Sequence, residues 1–338
     1  MKKLIAYIIL PLALLLNACQ QDKTVVNGKP TTSQETGLSL LQEDNAAWQH
    51  ENLRIYPILA DEGLIAAHTG QANIKTLEDV MGTQGFRITE VKNFGRETNN
   101  WYNGLTLVNK TTDSVFIMSG DVVTGGNQDR VNQEDLMALP GTIRNIPVFC
   151  VEQGRSFYYN PGAGADEKKL AAFKGYYSVA SPRVRKAVYD GDQGKVWDAV
   201  SNVTTANKAV STTGAYAALE SEEVVRTRCE SYTNFFSGKF EEIPNAVGLV
   251  AVSNGKVIGV EIFGHPQLFQ RRMKSLVHSY AVETAMTSTD VSLTPEDKQE
   301  DVLDAFNHVA RKARSTVKQD ETAGRFDFNG VWMHLYSK

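Results

Sequence analysis

Between Ser119 and Arg130 the chain reads SGDVVTGGNQDR, which packs two carboxylates, a carboxamide and a guanidinium around glycines directly after an apolar run. Gly125 and Gly126 permit a positive φ or a close approach to a ligand. Successive backbone amides in such a turn can form an anion-binding nest, to which Gln128, Asp129 and the forked donor Arg130 add side chains. The same composition also builds a plain hairpin in which Asp121 and Asp129 satisfy amides and pair with Arg130. Some twenty residues later VFCVEQGR leaves another apolar run through Glu152, Gly154 and Arg155. Were both strands to end on one side of a sheet, Asp121, Arg130, Glu152 and Arg155 would converge. Three outcomes then stand open. Arg130 and Arg155 could receive an anionic small molecule, Asp121 and Glu152 could divide acid and base roles in a hydrolase, or the four could form an ion-pair network without catalysis. A third cluster is FGHPQLF, where a strand turns through Gly264 into a helix opened by Pro266. Free amides at that helix start suit an anion, with His265 either donating to it or capping the helix.

Other chemistries find no support in the spacing. The six histidines stand at 50, 68, 265, 278, 308 and 334, and none forms an H-x-x-x-H or H-E-x-x-H arrangement. No cysteine pair has metal-ligand spacing, so no metal and no cofactor are expected. A G-x-S-x-G elbow is missing, and no Gly-Lys precedes Ser or Thr, which sets aside standard serine hydrolases and P-loop enzymes. With 35 basic and 39 acidic residues the formal charge is −4, and nucleic acid is not an expected partner. The aromatic groups Phe157-Tyr158-Tyr159 and Tyr176-Tyr177 either stack on sugars or fill a core.

The first residues speak to location. Lys2 and Lys3 precede an apolar run from Leu4 to Leu16, and Leu16-Asn17-Ala18-Cys19 closes it. Thirteen residues are too few to span a bilayer, which takes about 20, and the pattern is that of a secretory signal ending in a lipobox. Residues 1–18 are therefore expected to be a signal peptide, with lipid attached at Cys19. Several acyl chains anchor stably where one would be marginal. Gln20 in place of an aspartate favours the outer membrane of a cell envelope. Residues 19–45 are polar and read as a tether. Cys150 and Cys229 either pair or, as we favour, stay as two separately buried thiols.

The elements that must position these residues form one domain over 46–338, since no Pro/Gly/Ser-rich linker divides it. Short alternating or β-branched runs predict strands at 53–58, 86–91, 104–109, 114–118 and 143–152, with Asn109–Asp113 as a hairpin loop and Pro147 marking an edge or bulge. Helical spacing predicts helices over 77–81, 182–189, 195–208, 220–236, 266–286 and 295–317. Strands at 247–252 and 256–263 flank Asn254-Gly255, a strong hairpin signal. Phe326–Tyr336 reads as a last strand returning to the sheet. The class is α+β, a mostly antiparallel sheet with several inserted helices.

GDVVTGGNQDRV, IPVFCVEQGR and VGLVAVSNGKVIGVEIFGHPQLF together resemble the ARG and Rhodanese-Phosphatase-superfamily-associated protein domain, over roughly Glu51 to Tyr336. Gln128, Arg130, Glu152, Gly154 and Arg155 fit that pattern; Asp121 stands where a glutamate is common and Asp129 where an asparagine is frequent. The resemblance implies an association with ADP-ribosylglycohydrolases and with ADP-ribose-like or other phosphorylated metabolites. The resulting expectation is a membrane-anchored lipoprotein whose ligand-binding or accessory domain takes an anionic small molecule. The alternatives are a hydrolase or a structural envelope lipoprotein.

Overall fold

A computed structural model describes residues 29–33, 36–42, 46–90, 104–155, 172–286, 299–315 and 320–338. The signal peptide, Cys19 and the Phe157–Tyr159 group lie outside the described residues, as does the start of the helix expected from 295. The described residues form three sheets. The largest runs in the order β1 (Lys29–Ser33), β2 (Leu38–Gln42), β4 (Leu53–Ala60), β14 (Ala246–Ser253), β15 (Lys256–Phe263), β17 (Val331–Ser337) and β16 (Ala323–Phe328), and β3 (Gln49–His50) pairs with β4. A second sheet has the order β13 (Phe173–Val179), β9 (Asp121–Gly125), β10 (Arg130–Asn132), β12 (Ile143–Cys150), β7 (Gly104–Asn109) and β6 (Phe86–Glu90). The third is small: β11 (Leu136–Ala138), β8 (Val115–Ile117) and β5 (Lys75–Thr76). All pairings are antiparallel except that of β5 with β8.

In the six-stranded sheet the bridge Thr89↔Ala172 joins the β6 edge to the residue before β13, so the sheet curls towards a closed barrel. Alternation along its strands gives it an inside and an outside. Ile88, Leu107, Val123 and Val148 point inward and share a core with Leu77, Val80, Ile117 and Leu136. Their neighbours Val122, Val131 and Phe149 point outward into a larger core with the helices. The eight-stranded sheet is likewise buried on both faces. Leu249, Ala251 and Phe263 face the helix layer, while Val250, Val252 and Ile262 face α8 (Gln299–Ala310) through Val302 and Phe306.

Between sheet and barrel lie α3 (Pro182–Tyr189), α4 (Gln193–Ala206), α5 (Ala218–Ser221), α6 (Glu223–Glu241) and α7 (Pro266–Glu283). The shorter α1 (Glu62–Ala67) and α2 (Leu77–Val80) connect early strands. Helix α7 is apolar nearly all round, with Leu268, Phe269, Met273, Leu276, Val277 and Tyr280 buried, because it packs against β13, β14 and β15 at once. Among the described residues no helix is long and apolar enough to cross a membrane.

The fold is α+β, and most expected elements are found where the periodicity places them. The differences are instructive. Phe326–Tyr336 is a hairpin rather than one strand, turning at Asn329 (φ 53°) and Gly330 (φ 82°). Its Asn-Gly pair is the same signal that marks Asn254 (φ 46°) and Gly255 (φ 70°). Asn109–Asp113 joins strands of two different sheets and is no hairpin loop; the Asn109 carboxamide holds it by donating to Asp113 O at 2.9 Å. Residues 38–42, expected in the tether, form β2, with Leu38 and Leu40 fully buried. Pro147 sits inside the sheet, where pairing of β12 passes from β7 (Ile143 to Pro147) to β10 (Val148 to Cys150), and its missing N–H falls at the handover. Cys150 and Cys229 are separate buried thiols.

Gly126 closes the barrel's end. Its φ is +57°, and a Cβ there would lie 2.5 Å from the Phe173 ring and 2.8 Å from Glu90 Oε1. Gly126→Ala should therefore lower unfolding stability by about 2 kcal/mol or more, strain and overpacking both contributing. Urea unfolding measures it, and a loss under about 0.5 kcal/mol would mean the turn does not clamp the barrel.

Candidate functional site

Arg130 pairs across the ladder with Val123 and Cys150, so its side chain shares their inward face. Glu90, two residues after Ile88, shares that face too. A guanidinium thus stands in the mouth of an apolar barrel, only 2% exposed. Arg130 Nη1 donates to Gln128 Oε1 at 3.0 Å, and Nη2 lies 3.7 Å from Glu90 Oε2. Glu90 in turn accepts the Asn127 amide at 2.8 Å.

Arg155 fastens the same turn from outside. Its Nε donates to both Glu152 oxygens at 2.8 Å, Nη1 to Gly126 O at 3.0 Å, and Nη2 to Asp129 Oδ1 at 3.0 Å and Gly125 O at 3.3 Å. Gln128 Nε2 donates to Glu152 O at 2.7 Å, the Asp129 amide to Glu152 Oε2 at 3.1 Å, and the Gly125 amide to Asp129 Oδ1 at 2.9 Å. Burial opposes ionisation of Glu152, but Arg155, Thr213 and the Asp129 amide outweigh it and hold the carboxyl below its usual range. For Asp129 burial wins, and its pKa is raised despite the Gly125 amide and Arg155. The structure therefore brings Gly125, Gly126, Gln128, Asp129, Arg130, Glu152 and Arg155 together. It does so by engaging most of their donors and acceptors with one another.

Asp121 is not in this cluster. It lies at the other end of β9, four residues from Gly125 and so about 13 Å away along the strand. There it is wholly buried and forms an ion pair with Arg272 of α7, also wholly buried. Its carboxylate accepts the Met118 amide at 2.8 Å and the Tyr176 hydroxyl at 3.1 Å. Asp121 and Glu152 consequently do not form a two-carboxylate centre. His265 hydrogen-bonds to neither and caps α7, its Nδ1 accepting the Gln267 amide at 3.2 Å. It stands near His68, and burial together with that neighbour pushes its pKa down.

Beside Asp121 begins a second network that sequence reasoning missed. The Ser119 amide donates to Asp135 Oδ1 at 2.8 Å, and Asp135 Oδ2 lies 2.6 Å from His334 Nδ1. On its other side His334 Nε2 lies 2.6 Å from Glu261 Oε2, and Glu261 Oε1 pairs with Arg185 Nη1. Arg185 Nη2 then donates to the Tyr189 hydroxyl at 2.9 Å. Gly120 makes room for this: its φ is +92°, and a Cβ would come 2.8 Å from Arg185 Cγ. Burial alone would lower the His334 pKa, but the flanking Asp135 and Glu261 raise it to about 9. With both ring nitrogens donating, the imidazolium balances one carboxylate and Arg185 the other. Glu261 stays ionised below the usual carboxylate range, since Arg185 and His334 outweigh burial.

Where this network reaches the surface there is a cleft of about 290 Å³. Its walls include Arg183, Arg185, Lys186 and Tyr189 of α3, Glu261 of β15, Tyr280 and Glu283 of α7, and Lys338. Both acids are already paired, Glu261 with Arg185 and His334, and Glu283 with Arg183 Nε at 3.4 Å. Tyr280 Oη is buried beside Arg185 without a well-formed hydrogen bond. Lys338 Nζ donates to a neutral carbonyl, Asp320 O, at 2.8 Å. Among the described residues no three His, Cys, Asp or Glu side chains group to hold a metal ion.

A family model for the ARG and Rhodanese-Phosphatase-superfamily-associated Protein domain, ARPP-1, matches residues 43–331. The chain belongs to this family. No curated protein and no solved structure gives a significant match. The ARPP-1 match takes in the barrel turn, the buried Asp121–Arg272 pair, and Asp135, Arg185 and Glu261, but ends before His334 and Lys338. A signal for the missed residues exists only in pieces. Glu261 interrupts the apolar run VIGVEIF, and His334 interrupts VWMHLY; a charged residue amid a two-sided buried strand demands a partner.

The network has a pH signature. A raised folded-state pKa at His334 contributes stability fully present below its unfolded value of about 6.5 and lost as pH rises through about 9. The melting temperature should thus fall between pH 7 and pH 9.5. In His334→Gln that slope should flatten while the variant is less stable throughout. An unchanged slope in the variant would assign the dependence elsewhere.

Proposed function

We propose that this domain binds a small molecule carrying a phosphate or carboxylate, and that its receiving site is the cleft between α3 and β15. One observation carries the reading: in an acidic chain, four basic side chains line a single cleft against two carboxylates, so that after Arg183 pairs with Glu283 and Arg185 with Glu261, Lys186 and Lys338 remain in excess. Arg185 is held rigidly at the floor by Glu261 and Tyr189. Arg183, exposed by nearly half, uses Nε on Glu283 and leaves its terminal nitrogens at the rim. Lys186 forms no ion pair among the described residues. Such an excess of preoriented cations suits a charge-assisted, bidentate contact with an anion. The glycine-rich turn is less suited, because Arg130 and Arg155 are largely spent on Glu90, Gln128, Glu152, Asp129 and backbone carbonyls.

The lipobox at Cys19 supports a lipid-anchored location in the cell envelope, probed by fractionation: Cys19→Ser should move the protein from membranes to the soluble fraction, and continued membrane association would count against lipid attachment. The family's name, which records an association with a rhodanese-phosphatase superfamily, is in keeping with a phosphorylated ligand.

Thermal-shift and calorimetric titration with inorganic phosphate, sugar phosphates, ADP-ribose and dicarboxylates tests the ligand class. At least one should stabilise the protein saturably. The double variant Arg183→Gln, Lys186→Gln alters two exposed side chains and should weaken that ligand about tenfold or more with the fold intact. Binding unaffected by the double variant, or no response across the panel, would overturn the assignment.

A further inference from the structure

The cationic cleft continues past Tyr189. A wider hollow of about 810 Å³ adjoins it, and Lys186, Tyr189 and Lys338 belong to the walls of both. The cleft alone has room for an anion and little else, whereas the hollow falls within the 300–1,000 Å³ or so of small-molecule sites. Beyond Tyr189 the walls change character. Asp190, directly after α3, stands there with Asp320, Glu321 and Thr322, which precede β16. Lys186, Asp190, Glu321, Thr322 and Lys338 are all exposed, so a ligand in the hollow can reach their side chains.

These groups are not equally available. Asp320 is spent: Oδ1 accepts the Thr322 amide at 2.9 Å and the Thr322 hydroxyl at 2.8 Å, and Oδ2 takes Lys312 Nζ at 2.6 Å. Asp190 uses Oδ2 on Lys195 Nζ at 3.0 Å and keeps Oδ1. Glu321 forms no ion pair among the described residues. Lys338 Nζ gives one of its three protons to Asp320 O, and Lys186 Nζ keeps all of its own. Acceptor-only carboxylates and donor-only ammonium groups therefore share one hollow. A ligand's own ammonium finds no net negative charge there, because the three carboxylates stand against Lys195, Lys312 and Lys338 before Lys186 is counted. A second anionic group would meet Asp190 and Glu321, and an apolar body would strip water from both signs of charge without replacing its hydrogen bonds. Hydroxyl groups donate to the carboxylates and accept from the lysines. Neighbouring hydroxyls on one ring do both at once.

We infer that cleft and hollow form one site for an anionic sugar, its phosphate or carboxylate received by Arg183, Arg185 and Lys186 and its hydroxyls donating to Asp190 and Glu321. The inference rests on the anion reading of the cleft and adds to it the polyhydroxylated body that the anion carries.

Calorimetry with matched compounds provides the test: inorganic phosphate against glucose 6-phosphate, ribose 5-phosphate and phosphoethanolamine, and acetate against glucuronate. At least one anionic sugar should bind about tenfold or more tightly than its parent anion, as a few hydrogen bonds to charged groups would give. Phosphoethanolamine should gain nothing over inorganic phosphate. The double variant Asp190→Asn, Glu321→Gln, checked for folding by its melting curve, should cut the sugar's advantage to about threefold or less while inorganic phosphate binds no more weakly. Glu321→Gln alone, which breaks no ion pair among the described residues, should show part of that loss. Parent anions bound without any gain for the sugars would overturn this inference and leave the anion reading standing. An equal gain for the amine, or a sugar advantage kept in the double variant, would also overturn it. Failure of every anion to bind would remove both.

Discussion

Buried ion pairing holds this molecule together. Arg272, Asp121, Arg185, Glu261, His334 and Asp135 are all buried between the eight-stranded sheet and the barrel. An isolated charge there would cost several kcal/mol, and each is tolerated because its partner comes from a different element. Arg272 reaches from α7 to the start of β9, and Arg185 from α3 to β15. His334 spans from β17 to Asp135. The three-residue segment Ser119-Gly120-Asp121 stands at the junction: its first amide binds Asp135, its glycine admits the Arg185 stem, and its aspartate takes Arg272. Sheet, helix layer and barrel are thereby keyed to one relative placement, since removing any one partner leaves another charge uncompensated.

The same arithmetic explains why chemistry-bearing residues in the turn and in the network are differently available. At the barrel mouth, Arg155 and Arg130 face carboxylates and carbonyls in comparable number, so the turn is nearly self-satisfied. At the cleft the buried acids are balanced before the rim cations are counted. With Arg183 set against Glu283, Lys186 and Lys338 then add positive charge at the surface, next to a guanidinium that cannot move away.

Much of the fold was legible in the chain. The apolar run through Val148 and Phe149 reads as a strand, and these two residues fill the barrel's inner and outer cores; the helices follow their 3.6-residue spacing. The short β9, β10 and β11 were not read as strands, because three to five residues with glycine or charge give little periodic signal. Tyr176-Tyr177 was open between platform and core; it belongs to β13, where Tyr176 donates to Asp121. The hairpin at Asn329-Gly330 has a usable signal in its Asn-Gly pair, but the flanking run also reads as one continuous strand.

The candidate sites divide along a similar line. Sequence spacing alone determined that Gly125, Gly126, Gln128, Asp129 and Arg130 share one turn, and the CVEQGR run suggested their partners, because residues close along the chain at two strand ends have few ways to avoid meeting. It likewise determined the α+β class, the apolar strands and the helix start at His265-Pro266. Only the tertiary structure decided that Asp121 belongs to Arg272, 151 residues away, and that His334 joins Asp135 across 199. Nothing local encodes those distances: a buried charge announces that it needs a partner, and the packing of sheet, helices and barrel chooses which one.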